Sequence, residues 1–222
     1  MWDRCAGLAL AAVLVSSGVH ASGQYVVQDA DIADPRSCDM ELWHSDFEDA
    51  NFLNLACRGT APLQLLGEVE MPRGSEREAY RLEGKALGRE LATDGYGLGL
   101  FVAAGYDSDS RKWEEGEVFG MLTLEPVADR LLVHLNPGLV YSREDNRWSP
   151  FWGIGSELAL FGPVELAAEV FGVDNDAPTL HGAVRFLLFD EQVELDIGYF
   201  EETESGGSGG FAAGVGFQAF RF

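Results

Sequence analysis

Apolar and polar residues alternate along most of the chain after residue 38. In Val193–Tyr199 the residues Val, Leu, Ile and Tyr alternate with Glu, Asp and Gly. Successive side chains of a β-strand point to opposite faces, so a period of two predicts a strand with one apolar face and one polar or small face. Tyr96–Tyr106 and Val164–Val170 repeat the pattern, and no long segment has the 3.6-residue period of a helix. The pattern predicts an all-β protein.

We predict about twelve such strands from the alternation. They cover residues 39–48, 51–58, 62–71, 79–88, 95–106, 116–125, 129–141, 150–161, 163–173, 180–189, 191–201 and 210–222.

Long and short connections alternate between these strands, apart from residues 88–94 and a brief connection near Asn51. The long connections are residues 107–115, 142–149, 174–179 and 202–209, and the short ones are residues 126–128, Gly162 and Asp190. Short turns at one end and long loops at the other are typical of outer-membrane barrels. The chain is therefore predicted to form a single closed antiparallel transmembrane β-barrel with both termini on the periplasmic side. A soluble β-sandwich also alternates, but it does not need loops sorted by length.

The chain ends in Gly-Phe-Gln-Ala-Phe-Arg-Phe, residues 216–222. A closed barrel pairs its last strand with its first, because lipid offers no water to unpaired backbone groups. Phe217, Phe220 and Phe222 are then expected at the periplasmic interface, as part of a signal for the barrel-assembly machinery. Gln218 departs from that signal, because strict alternation places it on the face of Phe222.

The N-terminus has the features of a secretory signal peptide over residues 1–21. Arg4 precedes an apolar run at residues 6–15, and Ala21 ends a small-residue cleavage site. The run is shorter than the roughly 20 residues of a spanning helix. Residues 22–37 are then a short periplasmic segment, and residues 38–222 form the barrel in the outer membrane of a Gram-negative bacterium. In that oxidising compartment Cys38 and Cys57 either form a disulfide or remain as free thiols.

The chain is strongly acidic, with 15 Lys and Arg against 37 Asp and Glu, a formal net charge of -22. Such a charge repels nucleic acid, so a nucleic-acid partner is not expected. If the apolar face points to lipid, a cluster of charges lines the lumen. Its members are Glu68, Arg81, Glu83, Lys85, Glu157, Glu165, Glu169, Arg185, Glu194 and Asp196. The cluster makes either a narrow polar pore that favours cations or neutral solutes, or a plugged interior in which the charges pair for stability.

No catalytic residue, metal site or cofactor is predicted. The chain lacks the Gly-x-Ser-x-Gly and His-Glu-x-x-His motifs and any Cys/His spacing typical of zinc. Ser156 is expected on the lipid face, whereas His134 and His181 point inward, so no serine–histidine pair forms. Trp113, Trp148 and Trp152 are expected in or beside the loops at residues 107–115 and 142–149, where they form an outer aromatic girdle or a vestibule for apolar solutes.

Three segments, Leu135–Tyr141, Val164–Gly172 and Val193–Tyr199, resemble the small outer-membrane barrel family associated with the MetA pathway of phenol degradation. The resemblance implies a transporter of hydrophobic or aromatic compounds without catalytic residues. We therefore predict a channel or transporter for small molecules, with outer-membrane lipid, lipopolysaccharide and the barrel-assembly machinery as partners. A structural barrel with a plugged lumen and a soluble secreted β-barrel for a lipophilic ligand remain as alternatives.

Overall fold

A computed structural model describes residues 24–74, 78–174 and 176–222. The predicted signal peptide, residues 1–21, lies outside the described residues. Within them the chain forms twelve strands and one short helix. In chain order these are β1 (Ser37–Ser45), β2 (Ala50–Arg58), β3 (Leu63–Pro72), β4 (Ala79–Arg89), α1 (Leu91–Asp94), β5 (Tyr96–Asp107), β6 (Lys112–Val127), β7 (Leu131–Ser142), β8 (Arg147–Phe161), β9 (Val164–Val173), β10 (Thr179–Leu188), β11 (Val193–Glu202) and β12 (Gly209–Arg221).

The strands form a closed antiparallel barrel in which each strand pairs with its neighbours in the chain and β1 pairs with β12. This confirms the predicted fold class. Among the described residues, no helix has the length and apolar character needed to cross a membrane.

The side chains on the outer face of the wall are apolar. Leu65, Leu82 and Ile197 are 61%, 60% and 56% exposed, whereas Phe101 and Met121 on the inner face are buried. The alternation along each strand therefore separates an apolar exterior from an interior in which most of the charged strand residues lie.

The predicted long loops at residues 107–115 and 142–149 are wrong. Strand β6 begins at Lys112 and β8 at Arg147, which leaves connections of residues 108–111 and 143–146. Cross-strand aromatic pairs extend both hairpins: Tyr106 and Trp113 have ring centroids 5.5 Å apart, as do Tyr141 and Trp148. Such pairs stabilise facing strands, so residues that are polar enough for a loop become strand instead.

The closing strand β12 contains a β-bulge that settles the position of the terminal phenylalanines. Phe217 pairs with Met40 and Phe220 with Cys38, and the register shift between them leaves Ala219 without a partner. One extra residue reverses the alternation. Phe217, Phe220 and Phe222 therefore share the outer face, and the mismatch predicted for Gln218 disappears. The Phe222 amide donates to the Arg36 carbonyl oxygen at 2.9 Å, so the ladder continues to the last residue.

Cys38 and Cys57 are directly opposite each other in the β1–β2 ladder and form a disulfide. The bond lies on the same strand face as Leu42 and Leu53, near the C-terminus. It joins the first two strands beside the seam that closes the barrel.

Residues 24–33 lie inside the barrel, whereas the sequence led us to expect a short periplasmic segment at residues 22–37. Gln24, Val27, Gln28, Ala30 and Ile32 are each less than 9% exposed. The segment has no regular secondary structure, and it joins β1 through a turn in which the Ser37 amide donates to the Asp34 carbonyl oxygen. We call residues 24–33 the inner segment.

Candidate solute pathway through the barrel

The end of the barrel that carries turn 46–49 opens into a cavity of about 520 Å³, which we call the mouth. Eight carboxylates line it: Glu48, Glu68, Glu70, Glu78, Asp107, Asp109, Glu114 and Glu115. Among the described lining residues Arg81 is the one cation, and its guanidinium already donates to Glu83 and Glu117, each at 2.6 Å. The mouth is therefore strongly acidic.

Below the mouth lies a second cavity of about 280 Å³, bordered by Phe52, Glu68 and Arg81, which also border the mouth. Two aromatic pairs line it: Trp43 stacks on Phe52 with centroids 3.7 Å apart, and Phe101 stacks on Phe119 at 4.4 Å. Gln24, Tyr25, Val26 and Gln28 of the inner segment line the same cavity. The inner segment therefore forms one side of this cavity.

The upper part of the inner segment is fixed by a charged cluster around Arg185. The Tyr25 hydroxyl donates to Asp196 Oδ1 at 2.9 Å, and the Arg185 guanidinium lies 5.0 Å from the centre of the Tyr25 ring. Burial raises the pKa of the Tyr25 phenol, so the hydroxyl keeps its proton and remains a donor. Arg185 Nε also lies 3.1 Å from Asp196 Oδ1 and 3.7 Å from Glu194 Oε2.

Glu169 receives two consecutive backbone amides of the inner segment. The Val26 N–H donates to Oε1 at 3.1 Å and the Val27 N–H to Oε2 at 2.7 Å. His181 Nδ1 lies 3.0 Å from the same Oε1, and the His181 ring stacks on Phe200 at 3.8 Å. These contacts hold the carboxylate in position for both amides.

Asn136 pairs with Gln28 as a strand neighbour would. Its Oδ1 accepts the Gln28 N–H at 2.6 Å, and its Nδ2 donates to the Gln28 carbonyl oxygen at 2.9 Å. Asn136 is 1% exposed, so both ends of its amide are satisfied by one backbone residue.

The lower part of the inner segment is held by four further contacts, one of which is the donation from Arg58 Nη1 to the Ala33 carbonyl oxygen at 3.2 Å. Lys85 Nζ lies 3.0 Å from Asp29 Oδ1, and the Ala30 N–H donates to Thr123 Oγ1 at 2.8 Å. The Ala33 N–H donates to Gln64 Oε1 at 2.6 Å. Ala30 and Ile32 also join an apolar cluster of Leu87, Phe101, Ala103, Phe119, Met121 and Phe151.

Glycines on the inner face of the wall leave room for the inner segment. A Cβ atom at Gly97 would lie 2.9 Å from both Cβ and O of Ala30. Cβ atoms at Gly153 and Gly155 would lie 2.8 Å and 3.0 Å from the methyl groups of Val27. These glycines form a recess shaped to the backbone that occupies it.

The ten charges predicted for the lumen fall into two groups, and two further residues, Lys85 and Glu169, contact the inner segment. Arg81 and Glu83 bond below the mouth, where Glu68 also lies. Arg185 is within 4 Å of Glu157, Glu165, Glu194 and Asp196. Lys85 pairs with Asp29 and Glu169 binds Val26 and Val27, so both serve the inner segment. Glu117 and Asp29 were missed: Glu117 lies in the predicted strand 116–125 but was not included in the cluster, and Asp29 precedes the predicted barrel.

The residues considered for catalysis do not come together. The Ser156 hydroxyl donates to the Ala168 carbonyl oxygen at 3.4 Å, whereas His134 Nδ1 contacts Thr123 Oγ1 at 3.0 Å inside the lumen. In the described part of the chain, no group of three or more His, Cys, Asp or Glu residues is arranged to hold a metal ion.

A closed twelve-strand wall with an apolar exterior and a charged interior is the architecture of small outer-membrane porins. The NanC porin superposes with a TM-score of 0.60 at 8% sequence identity, covering 82% of this chain and 99% of that porin. The KdgM porin in complex with disordered oligogalacturonate gives 0.61 at 11%, covering 83% and 99%. At such identities the likeness shows the fold.

The chain belongs to the family described as "Uncharacterised conserved protein UCP029691", whose model matches residues 9–214. A search of curated proteins finds no match. The matched family carries no description of phenol degradation, so the resemblance to the MetA-associated family stays a prediction.

Proposed function

We propose that this protein is an outer-membrane barrel through which small solutes cross, exported by a cleaved signal peptide, with its termini in the periplasm. One observation carries the proposal: a closed wall with an apolar exterior encloses two adjacent polar cavities of about 520 and 280 Å³, which share lining residues. An apolar exterior on a wall without free edges suits a barrel surrounded by lipid.

The interior supports small cations and neutral molecules as solutes. Carboxylates at the entrance of a channel concentrate cations and repel anions, because field lines are focused by the low-dielectric wall. The stacked aromatic rings that line the second cavity also offer an apolar surface, which supports aromatic molecules among the neutral solutes.

Planar-bilayer recording tests this function. In a potassium chloride gradient we expect single-channel currents carried mainly by potassium. The double variant Glu114→Gln/Glu115→Gln removes two carboxylates at the mouth and should shift the reversal potential towards zero. Asp129→Asn is the matched control, because it also removes a carboxylate charge but lies in the turn at the opposite end of the barrel. Anion selectivity, or a selectivity that the mouth variant leaves unchanged, contradicts the proposal.

A structural barrel with a plugged lumen is a second candidate, supported by the buried inner segment that lines the second cavity. This candidate is favoured if the wild type and the variants Gly97→Val and Gly155→Val all show no current and no solute uptake into vesicles. Cell fractionation distinguishes the third candidate, a soluble secreted β-barrel for a lipophilic ligand, because such a protein would be recovered in the periplasmic fraction.

A further inference from the structure

We propose that the inner segment, residues 24–33, is a gate that closes the barrel while it is seated, and that solutes cross when it leaves its seat. The inference rests on the proposed function, because a gate needs a pathway. It deepens that function by assigning control of passage to one segment and its seat.

The inner segment is not part of the wall. No β-strand includes it, and its amides at Val26, Val27, Gln28 and Ala30 donate to side chains of the wall rather than to a ladder. Its link to β1 is a turn at residues 34–36. The segment can therefore move without breaking any strand pairing.

The seat is polar. Glu169, Asn136, Thr123, Gln64 and Lys85 bind the segment from five different strands. Ala30 and Ile32 add contacts with an apolar cluster, but buried polar pairs contribute little more than the water contacts they replace. When the segment leaves, water enters the lumen and takes over each of these hydrogen bonds. A polar seat therefore keeps the seated and unseated states close in free energy.

The recess at Gly97 and Gly155 shows that the wall is shaped to the seated segment. A side chain at either position meets Ala30 or Val27, while glycine is otherwise a poor residue for a strand interior. Gly182 in β10 provides a control, because it lies on the outer face, where a Cβ atom has no neighbour within 4 Å. Substitution at the first two glycines should unseat the segment, whereas substitution at Gly182 should not.

A reversible cross-link tests the gate directly. A Cβ atom at Gly155 would lie 3.3 Å from Val27 Cβ, close to the roughly 3.8 Å of a disulfide. In the double variant Val27→Cys/Gly155→Cys we expect oxidation to reduce open probability at least tenfold and reduction to restore it. Wild type and the single variant Val27→Cys, each with and without reductant, control for the Cys38–Cys57 bond. Mass spectrometry of a protease digest confirms the cross-link.

Displacement provides the opposite test. Gly97→Val and Gly155→Val should each raise the open probability severalfold. When Ala30→Cys is added to either variant, the new cysteine should react with a water-soluble maleimide. Gly182→Val should change neither the open probability nor the labelling. Equal currents from the fully oxidised and reduced double variant would overturn the gate and leave the channel intact. Maleimide labelling without current in any variant would overturn the channel, and with it the gate.

Discussion

At the scale of single residues, Lys85 shows how the wall and the inner segment depend on each other. Its side chain is 4% exposed, and its ammonium group lies 3.0 Å from a carboxylate that another part of the chain supplies, Asp29. Desolvating an ammonium group is costly unless a partner compensates it. The strand residue was predicted to face inward, but nothing in its own strand indicated which residue would neutralise it.

Removing one member of this pair should cost more than removing both. We expect Lys85→Met to lower the free energy of unfolding by about 1 kcal/mol, because it removes the ammonium group that pairs with Asp29, although the carboxylate can still reach water when the segment leaves its seat. Asp29→Asn combined with Lys85→Met should recover part of that loss. Urea titration in detergent micelles, followed by tryptophan fluorescence, measures both. Strictly additive losses would show that the two side chains do not act as a pair.

At the scale of elements, β12 combines closure of the barrel with the proposed assembly signal. Its bulge at Ala219 places three phenylalanines on the outer face, and Phe222 still pairs its backbone with Arg36. Strict alternation could not reveal this arrangement, because a bulge is an insertion in the hydrogen-bond register rather than a change in composition.

Deleting Phe222 should reduce the amount of folded protein in the outer membrane severalfold, because the strand loses its final pairing and its terminal aromatic residue. Immunoblots of membrane fractions measure this amount. Phe189→Ser is the matched control, since that phenylalanine is 75% exposed but lies in the turn between β10 and β11. Normal assembly without Phe222 would mean that the C-terminus does not act as a signal.

The disulfide belongs to the same scale, because it joins β1 to β2. It closes a loop with a sequence separation of 19 residues, for which chain-entropy arguments give about 3 kcal/mol of stabilisation. The double variant Cys38→Ser/Cys57→Ser should therefore unfold at a lower urea concentration than the wild type. Reduced wild type should match it, and an unchanged midpoint in both would show that the hairpin does not need the bond.

At the scale of the whole molecule, the period of two predicted the closed barrel and the direction in which most lumen charges point. The prediction of loop lengths failed at Trp113 and Trp148. There the sequence is polar enough for a loop, but cross-strand aromatic pairs extend the strands. The inner segment could not be predicted, because residues 24–33 neither alternate nor carry a motif. Gly97, Gly153 and Gly155 leave room for the segment, but such glycines also suit tight packing of the wall.

The central claim is that the apolar face of every strand meets lipid around a closed wall, and heat-modifiable migration tests it most directly. Protein extracted from outer membranes is run on a denaturing gel with and without boiling. We predict that the unboiled protein stays folded and migrates ahead of the boiled protein, which should run at its chain mass of up to 24.2 kDa. Identical migration of both samples, with the protein recovered from the soluble periplasmic fraction, would contradict the account.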